Sequence, residues 1–201
     1  MSEDLTPSDL RRAGIGAFFR PQDVAHLGVT YYKIQRMVTD GHVEKAGPGL
    51  YRLSEVEATE TETIAMVASA VPRAIVCLLS ALRVHELGTQ SPRQVWLAID
   101  RKARKPRRLP AAASIVRFSG QMLTYGVVTQ SMQGVRVQIT NPARTVVDCF
   151  RYRKKIGIDV AMEALREAVR SRKAVVAEID RAAEVCRIRT VIGPYLEALS
   201  A

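Results

Sequence analysis

Residues 21 to 53 decide the fold: Pro21-Gln22-Asp23-Val24-Ala25-His26-Leu27, then Gly28-Val29-Thr30, then Tyr31-Tyr32-Lys33-Ile34-Gln35-Arg36-Met37-Val38-Thr39-Asp40-Gly41, and finally HVEKAGPGLYRL over 42–53. Pro21 suits the first position of a helix, where its missing N–H costs nothing. Gly28 can take the positive φ of a tight turn, and Thr30 can cap the helix that follows. In that helix Ile34, Met37 and Val38 stand at i, i+3 and i+4, the spacing of one buried stripe. Tyr32 and Arg36 fall on the opposite side, flanked by Lys33 and Gln35, while Tyr31 is expected to be partly buried. Gly41 supplies the stop, and Gly47-Pro48-Gly49 turns one short strand into another. The pattern predicts a winged helix-turn-helix, a shape that lays its second helix in the DNA major groove.

Charge points the same way. The net charge is +10, but residues 101–155 hold 13 basic side chains against one acid, Asp148, so this stretch carries the whole excess. A concentrated excess favours a polyanionic partner. No apolar run approaches the ~20 residues of a membrane span, and the acidic MSEDLTPSDL start is unlike a secretion signal, so a cytoplasmic protein without membrane contact is expected. Cys77, Cys149 and Cys186 are far apart in apolar surroundings and read as reduced core thiols.

Outward from the central stretch, Leu5 to Ala13 reads as a short helix. Ser54 to Thr63 (SEVEATETET) reads as a linker entering a helix that ends near Val71. Leu78 to Leu87 is of helical spacing with Gly88 as its stop, and Val95 to Ile99 is of strand type. RKARKPRRLP, residues 101–110, reads as a solvated loop. Ser114–Phe118, Val127–Gln130 and Val135–Thr140 are further strand candidates. Beyond them Asn141 caps a helix opened by Pro142, with Ala143, Val146, Val147 and Phe150 on one face. Ile158, Met162, Leu165 and Val169 line a second helix; Ile179, Ala183 and Cys186 mark a third. Val191 to Leu199 forms a fourth, interrupted at Gly193-Pro194. The expected class is α+β, with a winged helix-turn-helix domain over residues 1–55. Residues 60–201 are expected to form a larger mixed α/β domain with a small sheet and several helices.

Thr30, Tyr32, Lys33, Gln35 and Arg36, with Lys45 and Arg52 in the wing, form the expected DNA-contacting set. Cations reach phosphate or guanine, and Gln35 suits adenine. The plainer reading is a wet helix face. Arg101, Lys102, Arg104, Lys105, Arg107 and Arg108 crowd one loop. Arg117, Arg136, Arg151, Arg153, Lys154 and Lys155 follow it. This basic patch suits nucleic acid or, alternatively, an acidic protein surface. Arg144 and Asp148, four apart on the polar side of the Pro142 helix, read as a structural ion pair. With Thr145, Arg144 is otherwise an anion site at the helix start. No catalytic constellation emerges. His26, His42 and His85 lack partners at ligand spacing, there is no Gly-rich phosphate loop, and no carboxylate cluster could hold Mg²⁺. Neither an enzyme nor a cofactor or metal site is expected.

The order of these elements resembles the AbiEi family of antitoxins from bacterial toxin–antitoxin systems. In the first domain the likeness rests on Gly28-Val29-Thr30, Asp40-Gly41-His42-Val43-Glu44-Lys45 and Gly49-Leu50-Tyr51-Arg52-Leu53. In the second it rests on Ser80-Ala81-Leu82, His85-Glu86-Leu87-Gly88, the segment from Pro92 to Ile99, and Asn141-Pro142-Ala143-Arg144-Thr145-Val146-Val147-Asp148. The last run is similar to the family's T-P-A-R-T-L-V-D signature, with Asn141 where Thr is commoner. The resemblance implies an autorepressor that binds inverted repeats in its own promoter. It also implies a C-terminal domain that counteracts a nucleotidyltransferase-like toxin. The residues taken alone leave open a winged-helix transcription factor with a sensing second domain, or an RNA-binding shielding module.

Overall fold

A computed structural model describes residues 6–57 and 61–200. Leu5 and the centre of the acidic linker, 58–60, lie outside the described residues. The fold class is α+β, and the chain divides into two compact units. The first takes Met1–Pro72 together with Pro106–Ala111 and Gln130–Val137; the second takes Arg73–Lys105, Ala112–Thr129 and Gln138–Ala201.

The first unit opens with α1 (Pro7–Arg12), whose start is closed reciprocally. The Thr6 N–H donates to Asp9 Oδ2 at 2.9 Å, and the Asp9 N–H donates to Thr6 Oγ1 at 3.3 Å. Then come β1 (Phe18–Phe19) and α2 (Pro21–Val24), followed by one 3₁₀ turn over Ala25–Leu27 that ends at Gly28 with φ +72°. The helix α3 (Tyr31–Thr39) is capped by Thr30, which accepts from the Lys33 N–H at 3.3 Å. It ends in a Schellman motif: the N–H of Gly41, at φ +76°, donates to Val38, and that of His42 to Met37. Strands β2 (Val43–Gly47) and β3 (Leu50–Leu53) follow, then α4 (Glu62–Ala70). Pro48 and Gly49, the latter at φ +65°, make the hairpin turn.

These three strands form one antiparallel sheet in the order β1-β3-β2, with Phe18 opposite Arg52 and Val43 opposite Leu53. Leu10, Phe19, Val24, Val29, Ile34, Met37, Val43, Tyr51 and Leu53 form its core. The hairpin turn Gln133-Gly134 also belongs to this unit. Both residues have positive φ, and the Ala17 N–H donates to the Gln133 carbonyl at 2.8 Å. Backbones meet so closely here that a Cβ on Gly16 would sit 2.6 Å from the Gly134 carbonyl carbon. Only glycine fits.

The second unit holds β4 (Ile75–Val76), α5 (Leu78–His85), β5 (Val95–Asp100), β6 (Ala113–Phe118) and parts of β7 (Val127–Met132) and β8 (Val135–Thr140), whose residues 130–137 belong to the first unit. Their sheet runs β6-β5-β4-β8-β7, with β4 antiparallel to β5 and parallel to β8, and β5 parallel to β6. The two-residue strands β1 and β4 carry too little pattern to be read from sequence. The helices α6 (Pro142–Arg151), α7 (Arg153–Ile156), α8 (Ile158–Arg170), α9 (Val176–Val185) and α10 (Arg189–Ser200) follow. Helix α6 is central and packs on α5, α8 and α9.

Several helical expectations change. Helix α5 stops at Glu86, at φ +51°, rather than at Gly88. Lys173 Nζ donates to the His85 carbonyl at 2.7 Å and to Glu86 Oε2 at 2.8 Å, so a basic side chain closes this C-terminus. In α8 the fully buried ridge is Ala161, Ala164, Leu165 and Ala168, whereas Ile158, Met162 and Val169 are only partly buried. Small side chains permit the close approach to α6. Pro194 does not interrupt α10. It lies near the helix start on the exposed side, and the Thr190 carbonyl it leaves without an intrahelical donor belongs to an exposed residue that water reaches.

Candidate nucleic-acid interface

Helix α3 buries Ile34 and Met37 and turns the other side outward. Tyr32 is 78% exposed, and Arg36 is exposed with its guanidinium 3.9 Å from Asp40, four residues on. An ion pair that long on the surface adds little stability. Tyr31, expected to be partly buried, is 64% exposed. It stands in the first turn, at the edge of the stripe formed by Ile34 and Met37.

Lys33 and Gln35 are half-buried. Lys33 lines a cavity of about 390 Å³ with Thr6, Val29, Arg36, Met37 and His42. Gln35 Nε2 donates to the Tyr51 hydroxyl at 3.1 Å. Burial raises the Tyr51 pKa above its ordinary value, so this phenol stays protonated at neutral pH. Gln35 is thereby tied to β3, which fixes α3 against the hairpin.

Within the hairpin the two predicted cations part company. Lys45 is exposed. Arg52, expected to touch phosphate, is instead held inside the unit with its side chain 16% exposed. Its Nε donates to Glu62 Oε1 at 2.8 Å, Nη2 donates to the Val56 carbonyl at 2.5 Å, and Glu44 lies 3.7 Å from Nη1. A guanidinium surrounded by two carboxylates and a carbonyl is not free to grip DNA. Arg52 is a strut.

The basic stretch also divides. Arg101, Lys102, Arg104 and Lys105 are exposed and belong to the second unit, whereas Arg107, Arg108 and Arg136, also exposed, belong to the first. The loop begins in a turn: the Lys102 N–H donates to Asp100 Oδ1 at 2.7 Å, and the Arg117 guanidinium donates to the carbonyls of Asp100, at 2.9 Å, and Ala103. The Tyr152 hydroxyl donates to the Arg117 carbonyl at 3.0 Å, which brings the α6–α7 junction to β6. Arg117 therefore gathers Arg101 to Lys105, and Tyr152 tethers the segment that carries Arg153, Lys154 and Lys155. Arg151 and Arg153 direct guanidinium donors to the carbonyls of Cys186, at 2.8 Å, and Phe150, at 3.0 Å.

Arg144 and Asp148 are not on a solvated face. Both are fully buried, with Arg144 Nε 2.9 Å from Asp148 Oδ1. The guanidinium also donates to the carbonyls of Tyr125, at 2.7 Å, and Met122, at 3.2 Å, and lies 4.9 Å from the Phe118 ring centroid. Burial lifts the Asp148 pKa to about 6, against the opposing pull of Arg144. The Thr145 hydroxyl donates within the protein too, to the carbonyls of Thr140 and Asn141. None of the three faces an anion in solution, so the pair is structural. Every residue of α6 from Ala143 to Phe150 is buried, which amphipathic spacing did not indicate.

The described structure thus defines an α+β protein whose first unit is a helix–turn–helix followed by a β-hairpin. Residues 16–54 match the family model described as the transcriptional regulator AbiEi antitoxin. The resemblance drawn from the sequence is borne out over that segment, which runs from the approach to β1 through the end of β3. No curated protein matches the chain. No helix among the described residues is long and apolar enough to cross a membrane.

Proposed function

We propose that the first unit is a winged helix-turn-helix and that the protein is an autoregulatory antitoxin. It represses its own toxin–antitoxin operon by binding inverted repeats in the promoter. The observation that carries this reading is the outward face of α3, with Tyr32 and Arg36 exposed beside a hairpin of wing type, inside the segment that matches the AbiEi regulators. In this role Arg36 reads a base edge or phosphate, and Tyr32 contacts backbone or a thymine methyl. Thr30, Lys33 and Lys45 contribute at the margins. Gln35 acts by orienting α3 through Tyr51.

The second unit, whose likeness to the family rests on the Asn141–Asp148 run and its companions, counteracts a nucleotidyltransferase-like toxin. Its cations around Arg117 serve that encounter or a second grip on nucleic acid. Two measurements test the reading. A mobility-shift assay on the DNA upstream of the gene should show binding that outcompetes a scrambled duplex. Co-expression with the neighbouring toxin gene should restore growth. Absence of both would end the proposal.

A further inference from the structure

The wing is short of free cations. Arg52 is held by Glu44, Glu62 and the Val56 carbonyl, Lys45 stands next to Glu44, and the hairpin turn Gly47-Pro48-Gly49 carries no charge. A wing that lies along a duplex needs donors for phosphate. The structure supplies them from a distant part of the sequence. Pro106–Ala111 belongs to the first unit, and Pro110 packs directly on the last residue of β2. A Cβ built on Gly47 would lie 3.0 Å from Pro110 Cβ and 3.5 Å from its Cα.

Arg107 and Arg108 precede Pro110 by three and two residues and are exposed. Three residues of chain span at most about 10 Å, so the backbone of both arginines lies within about 10 Å of Pro110, and their long side chains can reach toward the hairpin turn. No carboxylate occurs between Asp100 and Asp148 to neutralise them locally. Pro106 and Pro110 bracket the pair and restrict its backbone, which lowers the entropy lost when it settles on a ligand.

We infer that Arg107 and Arg108 complete the wing, gripping phosphodiester oxygens of duplex DNA beside the Gly47–Gly49 turn. The run 101–110 is therefore two devices, of which only the second half serves the wing. The inference rests on the DNA-reading role proposed for α3. Guanidinium suits the task because its planar fork can bind two phosphate oxygens at once.

The test uses the full chain and a labelled duplex of its upstream region, with fluorescence anisotropy over a salt series. Each lost phosphate contact flattens the plot of log affinity against log salt by about 0.9, so Arg107→Gln/Arg108→Gln should flatten it by about 1.8. Preference over a scrambled duplex should stay as in the wild type, because phosphate carries no sequence information. Arg166→Gln/Arg172→Gln removes the same charge from exposed positions of the second unit outside the basic stretch and should change the slope by less than half as much. An Arg107/Arg108 variant that behaves like the wild type, or like that control, overturns the inference. So does a variant with unchanged DNA binding but lost growth rescue, which would assign the pair to an acidic protein surface. If the wild type shows no preference for its upstream duplex and Arg36→Ala changes nothing, the DNA-reading role has failed and the inference falls with it.

Discussion

Arg144→Ala removes the charged hydrogen-bond partner of a carboxylate buried in the second unit. Asp148 Oδ1 accepts from Arg144 at 2.9 Å, and Asp148 Oδ2 has no hydrogen-bond partner among the described residues. The same substitution strips donors from the Met122 and Tyr125 carbonyls and opens a void over Phe118. Breaking a buried pair by removing one member costs about 3–5 kcal/mol, most of it the burden of the charge left behind. Removing both charges while keeping volume, as in Arg144→Met/Asp148→Leu, should cost much less than the single change. Trp96 is the chain's only tryptophan and lies in the same core as Phe118 and Cys149, so its fluorescence in urea reports this unit. A single substitution costing under about 1 kcal/mol, or a double costing as much as the single, would refute the account of α6 as built around a buried ion pair.

Arg36→Ala should weaken binding to the upstream duplex by about 1–3 kcal/mol and relax its sequence preference, read by competition with point-mutated duplexes. Neutralising Arg101, Lys102, Arg104 and Lys105 together should reduce the salt dependence of DNA binding if the second unit also grips phosphate; an unchanged slope assigns that loop to another role. Gly16→Ala forces a methyl onto the Gly134 backbone and should lower the thermal midpoint by several degrees, measured by circular dichroism. Asp148 holds its proton more tightly folded, at a pKa of about 6, than unfolded, near 3.8. Its contribution to stability is therefore present below about pH 4 and lost as pH rises through 6. The stability of the wild type relative to Asp148→Asn should fall across that window, and a flat difference would contradict it.

Much of the first unit and several elements of the second were legible because their signals are local. Gly28 and Gly41 take the positive φ expected of them, Thr30 and Asn141 cap the helices they precede, and Ile34 and Met37 are buried at the predicted spacing. Such effects act over three or four residues, the distance at which sequence is geometry. The alternation Val135, Val137, Ile139 likewise gave β8, and apolar runs gave β5 and β6.

What remained hidden depends on neighbours remote in the chain. Nothing around Arg52 tells that Glu62 and the Val56 carbonyl will claim it. Nothing in the spacing of Arg144 and Asp148 shows that three other elements close over them. The basic run at 101–110 is uniform as text, yet contact with Gly47 draws only its latter half into the first unit. Caps, turns and periodicity, which depend on covalent neighbours, were determined by the amino-acid order itself. Which charges stay free and which are buried was decided only in three dimensions, because electrostatic partners are chosen by proximity in space, and folding brings together groups that the chain holds tens of residues apart.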